Sequence, residues 1–382
     1  MSGIEFRRPK SFDKSRYPYE RFSQEEYQNR YSKVQEMMKE KELDCLIVSG
    51  GNVGWERCWS NIRWLTNFIG SLETVCYCIV PKEGDPTLCI YTHQIDRVAR
   101  SVVSDLRSAI DIAGIAAGRV RELVPGKGRV GMVPLSWNLH IPWDHLESFK
   151  KNLPDIEIQF LYEEFWNLRA QKSAEEIKWI YKAALLGDLC LENLVRKAKP
   201  GITENQLFGS VYETTLSNGG ENSMILLACT SMKDPDSPDT RARPMPRRLE
   251  DGFIINNEIG PVYNGYEAQT GKPIALGEPT KDYSEMFDVC LEAFKRISRT
   301  IRPGSTKEDF EKAGSIIREA GYVQIGAPIL HGMHGGLPQD AALIPGGMRK
   351  SLSTDPARPF LPLKIRPNAL YTVEVSVATD DE

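Results

Sequence analysis

The sequence predicts an α/β (α+β) chain of two domains, the first a strand-and-helix unit and the second built from two related halves. Three observations carry this: a length of 382 residues, β-rich runs alternating with helical stretches up to about residue 160, and an internal repeat in the second half. The charge balance, 48 basic against 52 acidic residues, excludes a broad electrostatic footprint for nucleic acid or an anionic membrane surface, so a small molecule or short peptide is the expected partner. No apolar run approaches the roughly 18 residues of a membrane helix. The opening MSGIEFRRPKSFDKSRYPYERF lacks the apolar core of a signal peptide, and the chain is expected in the cytoplasm. Eight cysteines, at 45, 58, 76, 78, 89, 190, 229 and 290, lie mostly in apolar runs. Cys76-Tyr-Cys78 is the one close pair in the sequence, and buried free thiols are expected there rather than a chelate.

Residues 1–22 read as a polar, basic and aromatic arm of a first domain, 1–162. A helix follows in SQEEYQNRYSKVQEMMKEKEL, where Ser23 with Glu26 three residues on makes a capping-box pattern. Strands are predicted at Asp44–Ser49, Thr74–Val80 and Thr87–Tyr91 with helices between them, and two more at Arg129–Val133 and Ile156–Leu161.

The second domain, 163–382, carries the repeat. Pro200-Gly201-Ile202-Thr203, with Leu207 six residues after the glycine, recurs as Pro303-Gly304-Ser305-Thr306 with Phe310 at the same offset. In each copy threonine is an N-cap, with Gln206 or Asp309 three residues later as reciprocal acceptor, and the helix runs to a glycine stop at Gly219 or Gly321. A long amphipathic helix precedes each copy and a strand follows it. Two related halves facing each other, with a site between them, are the expected result.

Four further pieces stand in order along the chain. They are Arg169, Lys172, Glu176 and Ile177 in LRAQKSAEEI; the stretch GFIINNEIGPVYNGYEAQ, from Gly252 to Gln269; His331 in HGMHGG; and Glu374 in LYTVEVS. Together with the repeat they resemble the creatinase and aminopeptidase P superfamily, over roughly residues 25 to 382. The resemblance implies a creatinase-like N-terminal domain, a pseudo-two-fold pita-bread C-terminal domain and, very often, a homodimer.

In metal-dependent members of that superfamily the ligand set is Asp, Asp, His, Glu, Glu. Carried onto this chain, the first two positions are Glu258 and Gln269, the histidine is His331 and the first late glutamate is Glu374. The last glutamate has no counterpart before Glu382, which leaves open whether it lies further on or is lacking. A neutral amide cannot bridge two cations as a carboxylate does, so no binuclear centre is expected; a single divalent cation on Glu258, His331 and Glu374 stays open. Members commonly carry a histidine at the position of Arg241, where a permanently charged guanidinium replaces a proton shuttle with an anion clamp.

The expected chemistry is hydrolysis of a C–N bond without a binuclear centre. His331 or His334 would be the acid–base group, and Glu258 and Glu374 the orienters or bases. Arg241, Arg243 and Gln269 would hold the substrate. Glycines at 332, 335 and 336 allow close backbone approach to a ligand; the alternative is that both histidines are structural loop residues. The resemblance also implies that the loop Ile69–Thr74, following a strand Asn61–Phe68, reaches a partner's pocket. There Glu73 and the tryptophans around Trp59 would hold a cationic head, unless those tryptophans only pack the domain edge. Two alternatives stay open: a metal-dependent Xaa-Pro peptidase with a reduced metal site, and a non-catalytic peptide- or protein-binding pseudoenzyme.

Overall fold

The first helix starts where the sequence places it. In the computed structural model the Ser23 side chain accepts the Glu26 amide at 3.1 Å and α1 (Gln24–Glu40) follows. The Glu26 carboxylate turns to Arg30 at 2.7 Å. Arg30 is itself buried, donates to the Trp64 carbonyl, and lies over the rings of Phe22, Tyr27 and Trp64. The structure describes residues 19–51, 60–70, 75–91, 99–135, 141–236, 240, 243–325, 329–333, 340–342, 361–362 and 365–379. The arm 1–18 lies outside them. Two compact units divide between Arg169 and Ala170.

The first unit continues through β1 (Cys45–Gly51), α2 (Ser60–Thr66), β2 (Val75–Pro81), β3 (Thr87–Tyr91), β4 (Asp105–Ala109), α3 (Ile112–Leu123), β5 (Gly128–Val133), α4 (Trp143–Asn152), β6 (Ile156–Phe160) and α5 (Tyr162–Ala170). Its six-stranded sheet has the order β4-β3-β2-β1-β5-β6. The pairs β1–β2 and β2–β3 are antiparallel, and the other three are parallel. The apolar runs CLIV and VCYCIV form β1 and β2, both buried throughout. Every described cysteine is free, and burial pushes the Cys45 thiol up to about 12, which leaves it inert at neutral pH.

Three sequence expectations for this unit are corrected. No helix separates β2 from β3, which a turn through Gly84 joins directly. The more polar β4 and the helix α3, capped by Asp111 on the Gly114 amide at 2.8 Å, were not expected. The segment expected as a strand at Asn61–Phe68 is mostly the helix α2. All eight of its residues are buried, polar and apolar alike, so no solvent-facing side marks the element. Local bonding decides it: Thr66 Oγ1 donates to the Ile62 carbonyl at 2.7 Å, and the Asn67 amide donates to the Arg63 carbonyl at 2.8 Å.

The second unit opens with α6 (Ala174–Lys197) and α7 (Glu204–Ser217), then β7 (Glu221–Ser231), β8 (Phe253–Tyr263), β9 (Tyr266–Glu267) and β10 (Ile274–Ala275). Its second half contains α8 (Lys281–Thr300), α9 (Lys307–Gly314), α10 (Ile316–Glu319), β11 (Val323–Gln324), β12 (Leu330–Gly332), β13 (Asp340–Ala342), β14 (Leu361–Pro362), β15 (Tyr371–Val373) and β16 (Val377–Ala378). The repeat is built twice in the same way. Thr203 and Thr306 close full capping boxes with Gln206 and Asp309, and the preceding glycines take φ values of 89° and 93° that other residues avoid. Leu207 and Phe310 are each fully buried, in separate cores. One core joins α6, α7, β7 and β8; the other joins α8, α9, α10 and β12.

The second copy departs from the expected single helix. Its helix breaks at Ser315, whose hydroxyl bonds to the Lys312 carbonyl at 2.9 Å and to the Glu319 carboxylate at 2.7 Å, competing with the helical ladder. Glu176 ties two sequence motifs together: one oxygen accepts the Ser173 amide to cap α6, and the other accepts the Tyr266 hydroxyl at 2.7 Å.

Candidate functional site

The site grows from one long hairpin. Asn264 and Gly265, at φ 47° and 81°, make the two-residue turn, and the strands pair as Tyr263↔Tyr266, Val262↔Glu267, Ile259↔Thr270, Ile255↔Ile274 and Ile254↔Ala275. Ile259 and Thr270 exchange both backbone bonds, at 2.7 and 2.9 Å. In this register Glu258 lies opposite Gly271, and Gln269 opposite Gly260. Glu258 and Gln269 are therefore diagonal neighbours on one face, within reach of each other's long side chains. Neither facing residue has a side chain to intervene. A Cβ on Gly271 would overlap the Asn257 carbonyl oxygen, and one on Gly260 would overlap the Glu267 carboxylate. Where the ladder opens, the Asn257 amide group bonds to the Lys272 carbonyl in its place.

A second antiparallel pair supplies the other two residues. β12 and β15 pair as His331↔Thr372 and Leu330↔Val373, and the Glu374 amide donates to the Ile329 carbonyl at 2.9 Å. His331 and Glu374 are again diagonal on one face. Beyond Glu374 the chain leaves β12 and pairs with β11, as Gln324↔Val377. Gln324 satisfies the backbone at that change of partner. Its Nε2 donates to the Glu374 and Ile325 carbonyls at 3.0 Å each, and its Oε1 accepts the Ser376 amide at 3.2 Å. Sequence reasoning missed Gln324, since a lone glutamine in a short apolar run carries no signal. Gln324→Ala leaves these buried groups without partners and is expected to cost about 2 kcal/mol in urea unfolding.

The structure brings Glu258, Gln269, His331 and Glu374 into one hydrogen-bonded chain. His331 Nε2 lies 2.8 Å from Glu374 Oε1. The Gln269 amide nitrogen donates to Oε1 of both Glu258 and Glu374. Among the described residues Gln269 Oε1 is buried without a partner. Both bonds to Glu374 fall on Oε1, which leaves Oε2 of a side chain 14% exposed for water or substrate.

His331 is buried, and both ring nitrogens face acceptors, Nε2 the carboxylate and Nδ1 the Gly332 carbonyl at 3.3 Å. Only the imidazolium fills both. Burial alone would lower its pKa, but the bond to Glu374, that carboxylate's charge, the Gly332 carbonyl and the charge of Glu258 outweigh it, and the net shift is upward from 6.5. The associated stability is fully present below the unfolded value and is lost as pH rises through the folded one. Titration of the His331 ring protons by NMR is expected to give a midpoint above 6.5, falling in Glu374→Gln.

Arg243 is exposed, at the start of the segment 243–248. His334, Arg241, Glu73 and Trp59 lie outside the described residues, as does 71–74 of the loop Ile69–Thr74.

The donor set decides whether a metal fits. A bridged pair of cations requires several anionic oxygens, whereas among the described residues two carboxylates converge, and a neutral amide points its hydrogens at both. His331 Nε2, the atom turned to the cluster, is engaged with Glu374. Among the described residues no group of three or more His, Cys, Asp and Glu side chains is arranged to hold a metal ion. The described residues, with an amide between the two carboxylates, do not fit a binuclear centre.

Two family descriptions match the chain: Metallopeptidase family M24 over residues 178–381 and the Creatinase/Prolidase N-terminal domain over residues 30–171. An uncharacterized peptidase of Staphylococcus aureus is 33% identical over 156 residues, 41% of this chain. The chain spans only 44% of that relative's length. Among solved structures, the Xaa-Pro dipeptidase from Bacillus anthracis superposes with a TM-score of 0.67 at 20% identity, covering 83% of this chain and 87% of that one. The X-Pro aminopeptidase from Thermotoga maritima gives 0.71 at 17% identity, covering 90% and 88%. At these identities the structural likeness is one of fold. No described helix is long and apolar enough to cross a membrane.

Proposed function

The chain belongs to metallopeptidase family M24, and from that premise we propose that it is a hydrolase acting on a C–N bond of a small molecule, an amide, amidine or peptide-like compound, without a binuclear metal centre. The observation that carries this reading is the contact of His331 Nε2 with Glu374 Oε1 at 2.8 Å, with Gln269 holding Glu374 to Glu258. Glu374 takes a proton from water through Oε2, and the water oxygen bonds to the carbon of the C–N group. The C–N bond breaks, and the proton passes to the departing nitrogen, giving an acid or carbonyl product and an amine. His331, as the imidazolium, balances the Glu374 carboxylate before and after the transfer, and Glu374 itself delivers the proton to the departing nitrogen. Glu258 orients Gln269. Family membership supports a homodimer, for which light scattering on the purified protein is the check.

The test is amine release from a panel of N-acyl amides, amidines and dipeptides with EDTA present. Turnover that survives EDTA is expected. The names of the solved relatives favour a second reading, a metal-dependent Xaa-Pro peptidase, and hydrolysis of Xaa-Pro dipeptides only after addition of Mn²⁺ would select it. Binding of peptides with no turnover under either condition would leave the pseudoenzyme.

A further inference from the structure

We infer that the Gln269 carboxamide stands in the place of a divalent cation, and that this one side chain keeps the site from taking up metal. The inference rests on the reading of Glu258, Gln269, His331 and Glu374 as the site, and concerns what holds it together rather than which bond it breaks. The two carboxylates come from different strand pairs, one on β8 and one after β15, and converge on a single nitrogen. Two like charges aimed at one point repel unless something positive lies between them. Here that is the two hydrogens of one amide group, each directed at a carboxylate oxygen.

The rest of the geometry fits that role. Gly271 and Gly260, the residues opposite Glu258 and Gln269, have no side chain, and a Cβ on either would overlap the Asn257 carbonyl oxygen or the Glu267 carboxylate. Gln269 Oε1, the only atom of the amide able to ligate a cation, has no partner among the described residues. The amide is thus set with its donors inward and its acceptor unused. This is the orientation two carboxylates impose when no cation lies between them, and the reverse of the one a cation would select. His331 extends the arrangement, adding a second donor to Glu374 Oε1.

The consequence is that exchanging the amide nitrogen for an oxygen turns the cluster into a cation site. In Gln269→Glu a third carboxylate of the same length meets the other two beside an imidazole, and the only relief for that charge is a proton or a metal ion. Equilibrium dialysis against Mn²⁺ and Zn²⁺, followed by elemental analysis, is the experiment. Wild-type protein is expected to retain less than about one tenth of an equivalent at micromolar free metal. Gln269→Glu is expected to bind about one equivalent, at least about 100-fold more tightly. In thermal melts, 1 mM MnCl₂ is expected to raise the variant's Tm by about 3 °C or more and the wild type's by less than about 1 °C.

A wild-type protein that binds one equivalent overturns the inference, since the amide would then have rotated to ligate. A folded Gln269→Glu binding no more than wild type overturns it as well. Should that variant not fold, the wild-type dialysis and Gln269→Asp, with its shorter carboxylate, decide in the same way. These are binding readouts. An absence of amide or amidine hydrolysis would sink the proposed reaction and leave this inference standing, while failure of Gln269→Glu to bind metal would do the reverse.

Discussion

Glu374→Ala is expected to lower kcat by about 10²- to 10⁴-fold, the range associated with loss of a positioned acid–base group. Glu374 Oε1 accepts from both His331 and Gln269, so the substitution removes the free Oε2 and the charge that holds the imidazolium in one step. Glu374→Gln separates these contributions. It keeps the shape and is expected to lose as much activity with a smaller loss of stability, because an amide offers no anionic oxygen to His331 but still fills the site. The measurement is kcat on whichever amide or amidine turns over, with circular dichroism to establish that each variant is folded. A kcat within about threefold of wild type would remove Glu374 from the mechanism.

Glu204→Ala is expected to cost about 3–5 kcal/mol, through loss of a buried charge that several groups share. Glu204 sits in the first turn of α7 and is fully buried. One oxygen accepts the Cys229 amide of β7 at 3.1 Å and lies 3.1 Å from Arg247; the other accepts the Met245 amide at 2.7 Å. The carboxylate thereby satisfies a backbone donor on the edge strand of the β10-β8-β7 sheet and ties down the segment 243–248 that begins with Arg243. Without it, the one carboxylate left within ion-pair distance of Arg247 among the described residues is Asp236, at 2.9 Å and more exposed. Urea unfolding followed by tryptophan fluorescence measures the loss. A shift corresponding to less than about 1 kcal/mol would mean that water or a neighbour replaces the carboxylate.

Glu204 illustrates what sequence reading could and could not reach. As the residue after an N-cap threonine it reads as an ordinary first-turn acid, and its partners, 25 and 41 residues away, are not visible from there. Features whose partners lie within a few residues were legible. The caps at Ser23, Thr203 and Thr306 each close over three residues, and the glycines at 201 and 304 take the positive φ that their PGxT motif suits. Elements set by burial alone were not. Asn61–Phe68, buried on every side, folds mostly as helix although it reads as strand, while the more polar β4 went unseen.

The four residues of the candidate cluster were named from sequence, because motif order and spacing survive in the chain itself. What the sequence by itself determined is the two-domain order, the doubled helix pair of the second half, and the identities Glu258, Gln269, His331 and Glu374. What only the tertiary structure decided is their joining: that Gln269 reaches a glutamate 105 residues away as well as one 11 residues away, and that Gln324 anchors the backbone between two strand partners. The physical reason is one of range. Caps and tight turns are settled by bonds between near neighbours, whereas the meeting of diagonal residues on two strand pairs depends on register, which the packing of the whole unit sets.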